Sequence, residues 1–154
     1  MRLDDQVARI HRTRVIAASP GAVWDALADF GAISSWAGNV DHSCLLEHGA
    51  AGPAVGTTRR VQVGRDALVE RITEFTPPAV LAYRIEGLPG RVGQVSNRWT
   101  LEPAGTGTAV TLTSVVRAGG NPLARVAQHA LCRMMARQSE HMLTGLAARL
   151  EGSP

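Results

Sequence analysis

The chain predicts an α+β fold in which a curved antiparallel sheet of about seven strands wraps around one long C-terminal helix. Three observations carry this expectation. From Asn121-Pro122 onward no Gly or Pro interrupts the chain until Gly145, and Leu131, Met134, Met135, Met142, Leu146 and Leu150 recur at helical spacing. Before that segment, from about Val40 to Arg117, short alternating runs are punctuated by Gly and Pro turns, which is the pattern of strands and hairpins. A helix from Pro122 to about Leu150 spans roughly 40 Å and needs an apolar surface of similar length. Only the preceding strands can supply it.

The elements follow in order. Val7 to Ala18 is rich in Val, Ile and Thr and reads as the first strand. Ser19-Pro20 then opens a short helix, with Ser19 as the cap, Pro20 in the first turn, and Val23, Trp24, Leu27 and Phe30 along one side. Gly31 breaks it, and Ile33 to Ala37 reads as a second short helix that turns Trp36 inward. Val40 to Glu47 is the second strand, followed by the turn His48 to Pro53. Thr57 to Val63 and Ala67 to Phe75 form a hairpin across Gly64-Arg65-Asp66. Pro77-Pro78 ends it, Val80 to Glu86 follows, and Gly87 to Gly90 is another turn. Val92 to Glu102 and Ala109 to Arg117 make the last hairpin, across Pro103 to Gly107. Consecutive hairpins at this spacing predict an antiparallel meander. Asn121 caps the terminal helix and Pro122 occupies its first position. A curved sheet touches a straight helix only in part, so a cavity is expected between them.

Composition narrows the class. The 154 residues are 45% hydrophobic and 19% charged, an ordinary globular balance, and one domain is expected with its core over about residues 7–150. No apolar stretch is long enough for a membrane span, and the N-terminus lacks the layout of a secretion signal, so a cytoplasmic location is expected. The net charge is +3, and every basic residue is Arg. They are spread from Arg2 to Arg149 without a dense basic cluster, which argues against nucleic acid. Arg9, Arg12 and Arg14 read as the solvent side of a strand. Cys44 and Cys132 read as two buried free thiols, since no CxxC exists. His129 and His141 do not share a helical strip, and His11, His42 and His48 lie in separate segments, so neither metal nor cofactor is expected. No nucleophile elbow, phosphate loop or dinucleotide fingerprint is present.

The order of local phrases resembles a known superfamily. A strand is followed by Ser19-Pro20-x-x-Val23-Trp24-x-x-Leu27-x-Asp29-Phe30 and then Trp36. Val55-Gly56-Thr57-Thr58-Arg59, Val69-Glu70-Arg71-Ile72-Thr73-Glu74-Phe75 and Leu81-Ala82-Tyr83-Arg84-Ile85 come next. Gly105-Thr106-Gly107-Thr108-x-Val110-Thr111-Leu112 and the long helix complete the series. From Ile10 to Leu150 the chain is similar to helix-grip proteins of the START/Bet v 1-like (SRPBCC) superfamily, in particular its bacterial polyketide cyclase/dehydrase-type members. That resemblance implies a hydrophobic ligand cavity and leaves open whether a reaction takes place there.

Strand alternation indicates which side chains face the cavity. Val110, Leu112, Ser114 and Val116 share one face of the last strand; Val95, Asn97, Trp99 and Leu101 do so before it, and Leu81, Tyr83 and Ile85 before that. In the middle hairpin Val61 and Val63 share a face with Arg59, while alternation leaves either face of the returning strand open. The resemblance places Glu70 inward, diagonal to Arg59. A carboxyl group there can anchor a ligand hydroxyl, satisfy Arg59 within the sheet, or transfer a proton. Tyr83 and Asn97 add polar tips, Met134 and Gln138 share a helical strip with Leu131 and Met142, and the resemblance places Trp36 at the rim of the cavity. Segments 48–56 and 87–93 read as loops gating it.

The expected function is binding of a small hydrophobic or aromatic molecule, lipid or polyketide-like, by a monomer or homodimer. Glu70, Arg59, Tyr83 and Asn97 would orient it, and Trp36, Trp99, Val61, Val63, Leu112, Met134 and Gln138 would form the walls. One alternative is a polyketide cyclase, aromatase or dehydratase with Glu70 as general acid/base. Another is a macromolecular interaction module, which a filled core would favour.

Overall fold

The computed structural model describes residues 7–47, 54–87, 94–117 and 122–152, the side chains of 122–125 and 127 excepted. Val7–Ile16 (β1) leads into a helix, Pro20–Ala28 (α1), and a 3-10 helix, Phe30–Ser35. Then come His42–Glu47 (β2), Thr58–Val63 (β3), Asp66–Thr76 (β4), Val80–Glu86 (β5), Gln94–Ala104 (β6), Gly107–Arg117 (β7) and Pro122–Glu151 (α2). The strands form one antiparallel sheet in the order β1-β7-β6-β5-β4-β3-β2. From β2 to β7 this is the expected meander. The first strand returns to pair with the last, Val7 opposite Arg117 and Ile16 opposite Thr108. With α2 lying along β1 and β7 and meeting α1, this is a helix-grip fold.

Local chemistry accounts for the element ends. Ser19 Oγ accepts from the Ala22 amide at 3.2 Å, which caps α1 as its sequence predicts. Strand β1 stops at Ile16 rather than Ala18, because the Ala18 amide turns back to the Ile16 carbonyl at 2.9 Å. The second short helix begins at Phe30, earlier than Ile33, and is a 3-10 turn rather than an α-helix. Strand β2 begins at His42 and not Val40, whose amide is held in a turn by the Ala37 carbonyl at 3.0 Å. Gly64 and Gly105, at φ 59° and 58°, allow two-residue hairpins at Gly64-Arg65 and Gly105-Thr106. The second of these lets β6 and β7 run to Ala104 and Gly107, past the ends expected from sequence. Asn121, the turn 48–53, most of the turn after Gly87 and the strand start at Val92 lie outside the described residues.

One departure changes which side chains face in. The register of β4 on β5 shifts between Ile72 and Glu74, so Ile72 opposes Tyr83 and Phe75 opposes Leu81. This bulge re-aims the end of β4. Phe75 then meets Trp24 of α1 edge-on, with centroids 5.1 Å apart.

The helix grips the sheet in two places. Met142, Leu143, Leu146 and Ala147 enter the main core, which also holds Ile16, Val23, Leu27, Phe30, Leu112 and Trp99. Nearer its N-terminus, Met135 packs with Val95 and Val116, flanked by Leu131 and Ile10. The apolar strip read from sequence is therefore buried only in part: Val126 is 70% and Met134 48% exposed. Ser139, fully buried in α2, is accommodated because its hydroxyl donates to the Met135 carbonyl at 2.9 Å. Cys44 is exposed and Cys132 half-buried, so the expectation of two buried thiols is corrected; both are free. Burial pushes the Cys132 thiol above its ordinary pKa.

Candidate functional site

Pairing of β3 with β4 sets Arg59 directly opposite Glu70, a closer relation than the expected diagonal. Both are buried. Arg59 Nε donates to Glu70 Oε1 at 2.8 Å, and Nη2 lies 2.7 Å from the same oxygen but off the hydrogen-bond axis. Nη1 donates to the Phe30 carbonyl at 2.9 Å, tying the sheet to the 3-10 helix. The guanidinium also lies over the rings of Phe30 and Tyr83, 3.7 and 4.7 Å from their centroids. Arg59 is thus held in the core by two hydrogen bonds and two rings, while its Nη2 makes no hydrogen bond. Glu70 Oε2 takes no hydrogen bond from a described residue.

Glu70 belongs to the wall of a cavity of about 390 Å3 between the sheet and α2, within the usual range for small-molecule sites. Strands contribute Val61, Val63, Leu68, Glu70, Tyr83 and Asn97. From α2 come Met134, Met135, Gln138 and Met142, and from the region of the 3-10 helix Ile33, Asn39 and Val40. The cavity lies beside the stretch of α2 between its two gripped regions, bounded by Met135 at one end and Met142 at the other. It is mostly apolar, with a few polar groups at fixed places.

Two of those groups are already committed. Asn97 Oδ1 accepts from the Ser114 hydroxyl at 2.6 Å, and the Tyr83 hydroxyl accepts from Trp99 Nε1 at 3.2 Å. Burial, reinforced by the nearby Glu70 charge, holds Tyr83 above its ordinary pKa of 10. The folded protein therefore binds the phenolic proton more tightly than the unfolded chain. Tyr83 contributes stability that is complete below about pH 10 and is lost as pH rises through the folded value. Tyr83 is the single tyrosine, so tyrosinate absorbance should stay absent above pH 10 until the protein unfolds, and then appear together with loss of circular dichroism. A tyrosinate signal rising near pH 10 in still-folded protein would contradict this burial.

Of the residues expected from sequence, Val61, Val63, Glu70, Tyr83, Asn97, Met134 and Gln138 line the cavity. Arg59, Trp36, Trp99 and Leu112 lie in the packed region instead and do not line it. Trp36 is 8% exposed and meets Trp99 edge-on at 5.9 Å, so it is a core side chain and not a rim or lid. The wall also includes residues that sequence reasoning left out. Ile85 was on an inward face by alternation, Leu68 shares the face of Glu70 that the resemblance places inward, and Met142 was on the helical strip, so their signal was present. Asn39 and Val40 follow an irregular turn, where no periodicity indicates direction. The loops read as gates fall mainly outside the described residues.

No group of three His, Cys, Asp or Glu side chains suited to a metal occurs among the described residues. Nor is any described helix long and apolar enough to cross a membrane. The sequence signature of the family described as polyketide cyclase / dehydrase and lipid transport matches residues 7–151. The chain belongs to that family. Members of the polyketide cyclase / dehydrase and lipid transport family are described by both catalysis and carriage. Among solved structures the chain is similar to the Zhui aromatase/cyclase from Streptomyces sp. R1128, with 20% identity, 94% of each chain covered and a TM-score of 0.79. It also resembles the di-domain ARO/CYC StfQ from the steffimycin biosynthetic pathway, with 13% identity over 97% of this chain and 52% of that one, at 0.80. A START superfamily protein from Mycobacterium smegmatis matches at 16% identity, 94% and 97% coverage, and 0.74. At these identities the likeness is one of fold. No curated protein matches the chain in sequence.

Proposed function

We propose that this family member binds a small hydrophobic or aromatic molecule in the cavity between sheet and α2. The observation that carries the reading is the cavity itself: about 390 Å3, walled by Val, Leu, Ile and Met side chains, with one unbonded carboxylate oxygen on Glu70. Apolar burial at about 25 cal/mol per Å2 would drive binding. Glu70 would choose the orientation, since a charge-assisted hydrogen bond from a ligand hydroxyl is directional. Naphthol should bind one-to-one in titration calorimetry, and Val61→Trp, which fills the space, should abolish it. Absence of saturable binding by the wild-type protein would end this reading. With Glu70→Gln, naphthol should bind about fivefold more weakly while naphthalene is unaffected. Equal loss for both compounds would remove Glu70 from the orienting role.

A second reading has one observation in its favour, the place of Glu70 in the cavity wall: Glu70 as general acid/base of a cyclase or dehydratase. Against it, Tyr83 is held protonated and Asn97 cannot exchange a proton at neutral pH, so no second proton-transfer group stands beside Glu70 among the described residues. Asp66 also lines the cavity, but it sits at the exposed hairpin end. Turnover of a poly-ketone, lost with Glu70→Gln, would favour the enzyme. A filled core would have favoured the interaction-module alternative, and the cavity gives it no such support.

A further inference from the structure

Strand β1 is one edge of the sheet, and α2 lies along it. Between them runs an open groove of about 410 Å3 that shares no lining residue with the cavity described above. Its polar lining is basic throughout: Arg9, His11 and Arg12 from β1, and His129 and Arg133 from α2. By strand alternation Arg9 and His11 leave one face of β1 and Arg12 the other, so the groove wraps the edge of the strand. Ile10 and Cys132, both half-buried, also line it and pack against the Met135 and Val116 cluster, which holds the two sides together.

The charge of this groove is unbalanced. On the sheet, Arg71 and Arg84 are matched by Glu86, and Arg98 by Glu74. No Asp or Glu lines the groove. Glu140, one turn beyond Ala136, pairs with Arg12 at 3.1 Å, while Arg9 and Arg133 have no ion-pair partner among the described residues. Guanidinium forks match the oxygens of a phosphate, and an imidazole offers an N–H donor even when neutral. From Arg9 to Arg12 the donors extend over about 10 Å of strand, at roughly 3.3 Å per residue. A lone carboxylate can meet only part of such a row, whereas linked phosphates can span it.

We propose that the groove between β1 and α2 binds a phosphate-bearing group with more than one negative charge, such as a diphosphate, held by Arg9, Arg12 and Arg133 with His11 and His129. The site is independent of the apolar cavity, so either can fail without the other.

Inorganic pyrophosphate is the probe. In titration calorimetry at low ionic strength it should bind one-to-one and weaken as salt is added, while acetate should not saturate. Arg9→Gln and Arg133→Gln should each weaken it about fivefold, because each removes one exposed charge-assisted contact. Arg65→Gln, which makes the same change of net charge in the β3–β4 turn, should change affinity by less than about twofold. Imidazole proton resonances of His11 and His129 should shift on binding, and those of His42 on β2 should not. Phosphatidic acid in phosphatidylcholine vesicles separates the sources: sedimentation lost in the Arg9→Gln, Arg133→Gln double variant assigns a lipid phosphate, and pyrophosphate binding without sedimentation assigns a soluble one. Binding of neither probe, equal loss in Arg65→Gln and Arg133→Gln, or acetate binding as tightly as pyrophosphate would each overturn the proposal.

Discussion

Replacing Arg59 by Met should destabilise the protein by about 3–5 kcal/mol, the cost of leaving a buried charge without its partner. Arg59 is 2% exposed and Glu70 6%, so water cannot take over the contact. A buried ion pair is itself weak evidence of stabilisation, since desolvating both charges offsets much of their attraction. The asymmetry matters here: the pair is nearly neutral while complete and costly when halved. Arg59→Met also frees the Phe30 carbonyl and removes the cation between the Phe30 and Tyr83 rings, loosening the 3-10 helix from β3. Arg59→Met combined with Glu70→Met should lose less than Arg59→Met alone, because no unpaired charge remains and both side chains can pack. Denaturant unfolding of the wild type, the single variants Arg59→Met and Glu70→Met, and the double variant measures this. A single variant within 1 kcal/mol of wild type, or a double variant that loses the sum of the two single changes, would contradict a coupled buried pair.

Gly145→Ala should also destabilise, against the direction that helix propensity alone predicts. In a helix interior Ala is favoured over Gly by about 1 kcal/mol. At Gly145, however, a Cβ would run into the Trp36 carbonyl oxygen, and the Trp36 carbonyl carbon and Ala37 Cα are close behind. These are backbone atoms of a buried segment and cannot swing aside. The helix would have to lift from the 3-10 region, parting Leu143 and Leu146 from the main core. Overpacking of this kind costs about 1–3 kcal/mol and should outweigh the propensity gain. A fall in Tm of several degrees is expected from calorimetry. Gly38→Ala, where an added Cβ meets nothing within 4 Å, is the control and should stay within about 0.5 kcal/mol of wild type. A Gly145→Ala protein as stable as the wild type would mean that α2 is not clamped on Trp36.

Much of the architecture was legible because strands and helices announce themselves by period. Alternation along β5, β6 and β7 correctly separated Tyr83, Asn97, Trp99, Leu112 and Ser114 from their outward neighbours. Each of those strands is covered on one side only, so a polar residue and an apolar one in turn leave a clear trace. Where the trace failed, the backbone had departed from its period. The bulge after Ile72 moved Phe75 to the inner side, and the 3-10 helix displaced the segment that carries Ile33 and Asn39. Local sequence holds little information on such shifts, since a single inserted residue resets the phase.

The candidate site shows the same division. That Glu70, Val61, Val63 and Asn97 point inward follows from strand pattern together with the superfamily resemblance, and the amphipathic run after Pro122 foretold the long helix. Which inward residues meet empty space, and which meet one another, was decided only when sheet and helix packed. Trp36 and Trp99 close on each other as solid core, Arg59 is paired with Glu70, and Gln138 is left among the residues that line the gap. Periodicity reports the direction of a side chain relative to its own element. Burial against a partner or against a void depends on how far two curved surfaces separate, and that distance is a property of the packed pair alone.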